Sequence, residues 1–343
     1  MPRKTKMTKI TSPEKTEQIN KSNLRLMEDF LMYLQSVQRS PGTINGYRSD
    51  LTIVFTFILD NLGNKDFHKL TKRDIVSLQN WMVANGNSSS RVRRVKSAIS
   101  SLSNYIEAIL SDDEPEYSGY RPIVRKIENP PLQPVREKTV WQEDDLESLL
   151  KTLTDMAEHE KACAVALALY SGRRKAELCR MKTSYFTDDN LVCDGALYKT
   201  SEPVKTKGAG LGKYIFCYTL AKGFKPYLDA WMDERQALGI ESEWLLFDPD
   251  KPEEPISIST LNSWANTFSR LTGQDFYWHS LRHAFTTKLA KAGIPDGVIA
   301  EIVGWSDVSL VAVYNDSTAD EQISMYFKDG DICADEKKSI VEI

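Results

Sequence analysis

Apolar residues recur at helical spacing through most of the first hundred positions. Leu24, Met27, Phe30, Leu31 and Leu34 fall three or four apart, which predicts a first helix over 23–37. Ser40-Pro41-Gly42 interrupts that pattern, and a second helix is expected over 41–62 with Ile44, Tyr47, Leu51, Val54, Phe55 and Ile58 on its buried side. Thr71-Lys-Arg-Asp74 reads as a capping box with Asp in place of Glu, opening a third helix that runs to about Ala84. A polar loop over 86–90 follows. A fourth helix begins at Arg91, and Val92, Val95, Ile99, Leu102 and Ile106 form one stripe along it. These four helices define an N-terminal helical domain over 21–112.

On either side of that block the pattern lapses. Residues 1–20 carry Lys4, Lys6, Lys9 and two prolines, and are expected to be a flexible basic arm. Residues 113–138 combine an acidic start, three cations at Arg121, Arg125 and Lys126, and the Pro-rich run Asn129-Pro-Pro-Leu-Gln-Pro134, as an interdomain linker would. A second domain is expected over 139–330. It has helices at 142–153, 161–170 and 174–181, then short β-like runs at 191–198, 203–206 and 213–218 around a glycine-rich turn at 207–212. Helices at 224–237 and 259–271 follow, and another from His279. The expected class is mainly α with a small antiparallel β-sheet (α+β), and residues 331–343 read as a loose tail.

Composition narrows the classes of function. The 343 residues are 41% hydrophobic and 27% charged, enough for two packed cores. No apolar run reaches the length of a membrane span, and the opening M-P-R-K-T-K lacks a signal-peptide core, so a cytoplasmic location is expected. Five cysteines without a C-x-x-C pair read as reduced thiols, mostly in the core. The net charge of −4 hides an asymmetry: residues 1–140 sum to +7 (22 Lys and Arg against 15 Asp and Glu) and residues 141–343 to −11 (22 against 33). Acidity concentrates at 143–147, 241–254 and the last thirty residues, so the remaining surface can still present a local positive field. Arg91, Arg93, Arg94 and Lys96 crowd the start of the fourth helix, as either a phosphate-contacting face or a solvated one.

The candidate chemistry lies between His279 and Tyr314. His279 and Arg282, three apart, share a helix face; Gly304-Trp305 follows a second helical segment, and Tyr314 stands nine residues after Trp305. His and Arg can stabilise an oxyanion, and an arginine grips a phosphate with two parallel hydrogen bonds. A phenol is a poor nucleophile until cations or a base favour its phenolate. A zinc site at His279 and His283 is disfavoured, because the residues between them are Ser, Leu and Arg, without the glutamate of H-E-x-x-H, and a cation between two ligands opposes a metal. The turn Lys207-Gly-Ala-Gly-Leu-Gly212 lacks the strand-to-helix setting and the G-K-S/T ending of a P-loop.

Upstream, Gly172-Arg-Arg-Lys-Ala-Glu-Leu178 gives G-x-R-x-x-E-L, followed in order by the lysine-bearing hairpin, H-x-L-R-H, G-W and the tyrosine. Over residues 20–327 the chain resembles the tyrosine recombinase (phage integrase) family. The resemblance implies a SAM-like core-binding domain ahead of a catalytic domain, the two closing on double-stranded DNA as a C-shaped clamp. It implies strand cleavage and rejoining through a 3′-phosphotyrosine, with no metal or cofactor. Gly172 and Glu177 set the register, so the first phosphate-binding arginine is Arg174; Arg173 stands where the family usually has an apolar residue. The second is Arg282, with His279 beside it. Lys207 matches the general acid of the hairpin best, with Lys205 as runner-up and DNA contact. Trp305 takes a position often held by His, and its indole can donate a hydrogen bond but cannot carry a proton. Tyr314 is the nucleophile. Arg91, Arg93, Arg94 and Lys96 become DNA contacts, and a short helix over 318–327 is expected to dock in cis or to build a homotetramer on DNA.

Overall fold

The computed structural model describes residues 10–132, 139–206 and 212–318, together with the backbone of two short strands at 327–328 and 331–332. The described residues divide into two compact units, 10–132 and the residues from 139 onward.

The N-terminal unit is helical. Helices α1 (Pro13–Gln18), α2 (Lys21–Ser36), α3 (Pro41–Asn61), α4 (Lys72–Ala84) and α5 (Ser89–Tyr105) enclose one core. Polar residues fix their starts. Ser12, Asn20, Ser40 and Ser88 accept backbone N–H bonds as N-caps, and Thr71 with Asp74 forms a reciprocal capping box. The predicted stripe of α5 is buried throughout, against Phe30, Leu51, Phe55, Ile58 and Phe67.

Two boundaries differ from the sequence reading. Residues 10–20 are no loose arm: Ser12 caps α1, Pro13 opens it, and Ile19 is buried in the core. The stretch expected to be linker folds back on the helical unit as far as Pro130. A five-residue π-turn (Ile106–Leu110) and α6 (Ser111–Asp113) extend α5, and Tyr117, Ile123 and Val124 are buried. Isolated apolar residues among charges carry no periodicity, so the pattern could not report them.

The second unit is built around α8 (His159–Ser171), where every residue from Ala162 to Ala168 is fully buried. Helices α7 (Glu143–Asp155), α10 (Ala221–Ala237) and α12 (Trp278–Lys291) pack against it. Small side chains let these helices approach closely, which explains the Ala-rich sequence. Between them lie α9 (Lys175–Leu178) and the strands β1 (Leu191–Val192), β2 (Leu197–Lys199), β3 (Val204–Lys205), β4 (Tyr214–Ile215) and β5 (Tyr218–Leu220). The order β1-β2-β5 is a three-stranded antiparallel sheet, and β3-β4 a separate hairpin. The expected single run at 191–198 is two strands, because Cys193, Asp194 and Gly195 all take positive φ and turn the chain. The acidic stretch at 241–254 holds an unanticipated hairpin, β6 (Phe247–Asp248) with β7 (Lys251–Pro255). Helix α11 (Ile258–Thr272) precedes α12, and α13 (Asp296–Val303) and α14 (Leu310–Tyr314) close the unit.

A satellite core of Leu197, Leu220, Phe285, Leu289, Ile299, Val303, Trp305 and Val311 seats α12, α13 and α14 on the sheet. The expected helix at 318–327 falls mostly on 319–326, outside the described residues. Strands β8 (Phe327–Lys328) and β9 (Asp331–Ile332) form a small antiparallel hairpin, the second of them in the stretch expected to be loose. Among the described residues no helix is long and apolar enough to cross a membrane. The class is therefore mainly helical with small antiparallel sheets.

Candidate active site

Helix α8 ends at Gly172, whose φ of +60° and N–H bond to Ala168 O at 3.0 Å turn the chain out of the helix. A Cβ there would lie 2.5 Å from Phe285 Cδ1, so only glycine lets α12 pass. That approach brings Arg282, fully buried on α12, within reach of the corner. Its Nη1 donates to Gly172 O at 2.7 Å and its Nη2 to Val303 O at 3.2 Å. The guanidinium lies 4.8 Å from the Trp305 ring centre and 5.9 Å from that of Tyr314.

The two consecutive arginines part company after Gly172. Arg173 turns into the core, where it donates to Ser171 O at 3.2 Å, to Cys217 Sγ at 3.4 Å and to Ile302 O. Arg174 stays partly exposed at the start of α9. Its backbone N–H donates to Glu177 Oε2 and its Nη1 to Glu177 Oε1, both at 3.0 Å. Glu177 is fully buried, so the carboxylate orients Arg174 instead of facing solvent.

Gly304, with φ +80°, ends α13. A Cβ there would strike Ile215 Cδ1 at 2.4 Å, so the β3-β4 hairpin closes down on this turn. Trp305 then packs its ring 4.7 Å from Tyr314. Across the site, His279 Nε2 lies 2.8 Å from Tyr314 Oη, and the His283 ring stacks on the tyrosine at 4.4 Å. Lys205 stands on β3 opposite Tyr214, its carbonyl accepting from Arg180 Nη1 at 2.8 Å. Lys207, two residues on, lies outside the described residues.

Arg174, His279, Arg282, Trp305 and Tyr314 thus come together from four elements separated by up to 140 positions. Their electrostatics favour an anion. Burial, then Arg174 and Arg173, push the Arg282 guanidinium down to about 9, still charged at neutral pH. Glu177 pairs with Arg174, and its charge also acts on Arg282. Two buried donors, Arg282 Nε and Trp305 Nε1, have no acceptor among the described residues. His279 is exposed to solvent, yet enough protein surrounds its ring to disfavour the charged form. That burial, and then His283, Arg282, Arg174 and Lys175, push its pKa down to about 4. Neutral imidazole beside a phenol can accept the phenolic proton. No cluster of three or more His, Cys, Asp or Glu side chains among the described residues is placed to share a metal ion.

The cations of α5 sit differently. Arg91 Nη1 and Arg94 Nε each reach Asp50 at 2.7 Å, and Asp50 is buried. Arg93 donates to Pro130 O at 2.9 Å. The buried Lys96 ammonium donates to Ile127 O at 2.5 Å and Glu128 O at 2.8 Å. Lys96 and Arg93 therefore tie the folded-back segment to α5, and Arg94, with 54% of its side chain exposed, is the most open of the four. Asp50, an acid at the head of the apolar stretch of α3, is the sign of this pairing that the sequence offers. Thr287 and Asp316, which hold the backbone around Tyr314, escaped the sequence reading, although Thr287 lies four residues after His283 on the same face.

Comparison with known proteins identifies the family. Residues 139–321 match the Phage integrase family, and residues 27–108 match the Phage integrase, N-terminal SAM-like domain. The chain is 30% identical over 263 residues to the SPbeta prophage-derived recombinase-like protein YomM of Bacillus subtilis, covering 76% of this chain and 75% of that one. It is 23% identical over 302 residues to a tyrosine recombinase of Thermosipho africanus, covering 84% and 94%. A lambda integrase tetramer bound to a Holliday junction shares the fold at a TM-score of 0.62 and 16% identity, with 89% of this chain and 81% of that one covered. The Tn1549 transposon integrase in complex with transposon right end DNA gives 0.62 at 15% identity, over 88% and 97%. With two family matches in chain order and a relative at 30% identity over three quarters of its length, this chain belongs to the phage integrase family, among the tyrosine recombinases.

Proposed function

We propose that this site-specific DNA recombinase cuts and rejoins strands through a 3′-phosphotyrosine on Tyr314. The observation that carries the residue assignment is the Tyr314 hydroxyl, 2.8 Å from a neutral imidazole and beside a buried guanidinium with an open donor. Tyr314 Oη attacks the phosphorus, and His279 Nε2 takes its proton. Arg174 and Arg282 hold the non-bridging oxygens while negative charge grows on them, and Trp305 Nε1–H donates a further bond. The bond to the 5′ oxygen breaks, and Lys207 supplies the proton for that leaving hydroxyl. Attack by the 5′-hydroxyl of a second strand reverses each transfer, so the ester conserves the bond energy and no ATP is consumed.

Double-stranded DNA is the partner. Arg91, Arg93, Arg94, Lys96 and Lys205 belong to its binding surface in this reading, with Arg94 and Lys205 in direct contact and Lys96 shaping the face from beneath. A homotetramer assembled through the C-terminal segment completes the reaction, as strand exchange between two duplexes requires four cleavages.

The test is incubation with a nicked duplex whose cleaved 5′ fragment diffuses away. The expected result is a covalent protein–DNA adduct, absent in Tyr314→Phe, and joined product when a second duplex supplies the 5′-hydroxyl. An adduct that persists in Tyr314→Phe would overturn the assignment.

A further inference from the structure

Helix α14 is only five residues long, and of its side chains only Val311 is fully buried while Val313 faces solvent. So short an element has little apolar area of its own to fix Tyr314, and its placement depends on what it rests against. It rests on one face of α12. His279, His283 and Thr287 are spaced four apart and form a single row. Each meets the segment 314–316 at a different point. His279 Nε2 meets the phenol oxygen at 2.8 Å. The ring of His283 lies nearly parallel to that of Tyr314, 4.4 Å away and inclined by 23°, and its Nδ1 is 3.6 Å from Asp316 Oδ1. Thr287 Oγ1 accepts the Asp316 N–H at 2.8 Å and stands 3.5 Å from the Tyr314 carbonyl. Both members of the His283–Asp316 pair are nearly buried, with side chains 12% and 6% exposed.

We propose that His283, Thr287 and Asp316 are positioning residues that clasp the segment carrying Tyr314, holding its hydroxyl on His279 of the same chain. The inference rests on Tyr314 being the nucleophile. None of the three touches the phosphodiester. They act through the tyrosine: His283 fixes the plane of its ring, Asp316 anchors the chain just beyond it, and Thr287 locks the backbone between. The pair lies in two turns of sequence, since Asp316 follows the nucleophile by two residues and His283 follows the catalytic histidine by four. A row of three side chains on a rigid helix is a more exact support than a loop, and displacement of a reacting group by an ångström can cost about a hundredfold in rate.

The test is single-turnover cleavage of a nicked duplex at saturating DNA by Asp316→Asn, Thr287→Val, His283→Phe and His283→Ala. Each is expected to lower the saturating rate by about tenfold or more, with the half-saturating DNA concentration unchanged. His283→Phe keeps the stacked ring and is expected to lose less than His283→Ala. Combining His283→Phe with Asp316→Asn should cost no more than the worse single change, because both break one contact. A second measurement separates positioning from general support. In a Tyr314→Phe background, hydrogen peroxide can attack the phosphorus in place of the phenol, forming a peroxy ester as the 5′-hydroxyl leaves. The clasp variants should not slow that reaction. Wild-type saturating rates, a loss confined to half-saturation, or equal slowing of the peroxide reaction would each overturn the clasp. If the unaltered chain forms no adduct on any nicked duplex, the nucleophile assignment itself falls, and the clasp with it.

Discussion

Each unit of this protein gathers arginines, and the two units balance them in opposite ways. In the helical unit, Arg91 and Arg94 converge on the buried carboxylate of Asp50, and Arg93 and Lys96 are satisfied by backbone carbonyls. In the catalytic unit, Glu177 pairs with Arg174, Arg173 and Arg282 have only carbonyls and a thiol as hydrogen-bond partners, and Arg282 keeps a buried Nε–H without an acceptor among the described residues. The first group is close to self-sufficient and serves mainly to bind segments of its own chain together. The second is held at excess charge by surrounding structure, which is costly for the protein alone and favourable once a phosphate arrives. Arginine count does not distinguish the two; the carboxylates and carbonyls around each guanidinium do.

The comparison breaks most directly at Arg282. Arg282→Ala removes the guanidinium proposed to hold the phosphate and the hydrogen bonds that join Gly172 to Val303. Cleavage of a nicked duplex is expected to fall by about 10²–10³-fold or more, roughly 3–4 kcal/mol of transition-state stabilisation. Arg174→Ala should fall by a similar factor with less loss of thermal stability, because that side chain is partly exposed and does not bridge elements. Near-wild-type cleavage in either variant, measured as adduct formed per second at saturating DNA, would remove the excess-charge account of the site.

The helical unit should respond in the other sense. Asp50→Asn deletes the carboxylate that Arg91 and Arg94 share, leaving two cations beside a neutral amide. A loss of about 1–3 kcal/mol in the stability of that unit is expected, since the acid is buried although the arginines are partly open. DNA affinity at low salt should hold or rise, because two guanidinium groups are released toward phosphates. Binding measured over a salt series, alongside urea unfolding, separates the two effects. Weaker DNA binding at unchanged stability would show that Asp50 organises a DNA-facing surface, and the contrast between the units would dissolve.

Much of this was legible in the sequence because local rules and global packing agree. The stripe of α5, the capping box at Thr71 and the glycine corner before Arg174 each announce themselves within a few residues. Gly172 and Gly304 were readable as motif letters, but their physical reasons, a phenylalanine and an isoleucine that would collide with a Cβ, come from elements more than eighty positions away. The separate fates of Arg173 and Arg174 were legible only through register. That Arg173 would be buried on carbonyls and a thiol depends on where α13 ends. The linker was misjudged for the same reason: Tyr117, Ile123 and Val124 are scattered among charges, and only a preformed core gives them somewhere to go. No motif marks Asp316, because what matters is its distance from His283, not its neighbours in sequence.

The finest test of the contrast is a pH profile. If excess positive charge fills the catalytic unit, it must act on His279 as well as on an incoming phosphate. His279 is pushed down to about 4 by burial and by His283, Arg282, Arg174 and Lys175. An imidazole can take the Tyr314 proton only when neutral. At DNA concentrations below half-saturation, where the rate reports the free enzyme, cleavage should therefore stay level as pH falls through the ordinary histidine value of about 6.5 and decline only well below it. The sign for folding is the same. With the folded value below the unfolded one, the contribution of this group to stability is present above about 6.5 and is lost as pH falls toward about 4. Removing one of the cations sharpens the measurement: in Lys175→Met, the acid limb should move up slightly while Tyr314, Arg174 and Arg282 stay in place. Lys175 is the last and smallest of the named causes, so the shift should be small. An acid limb already centred near 6.5 in the unaltered protein would mean that the imidazole feels neither the burial nor the arginines, and that the charge in this unit is as well balanced as in the other.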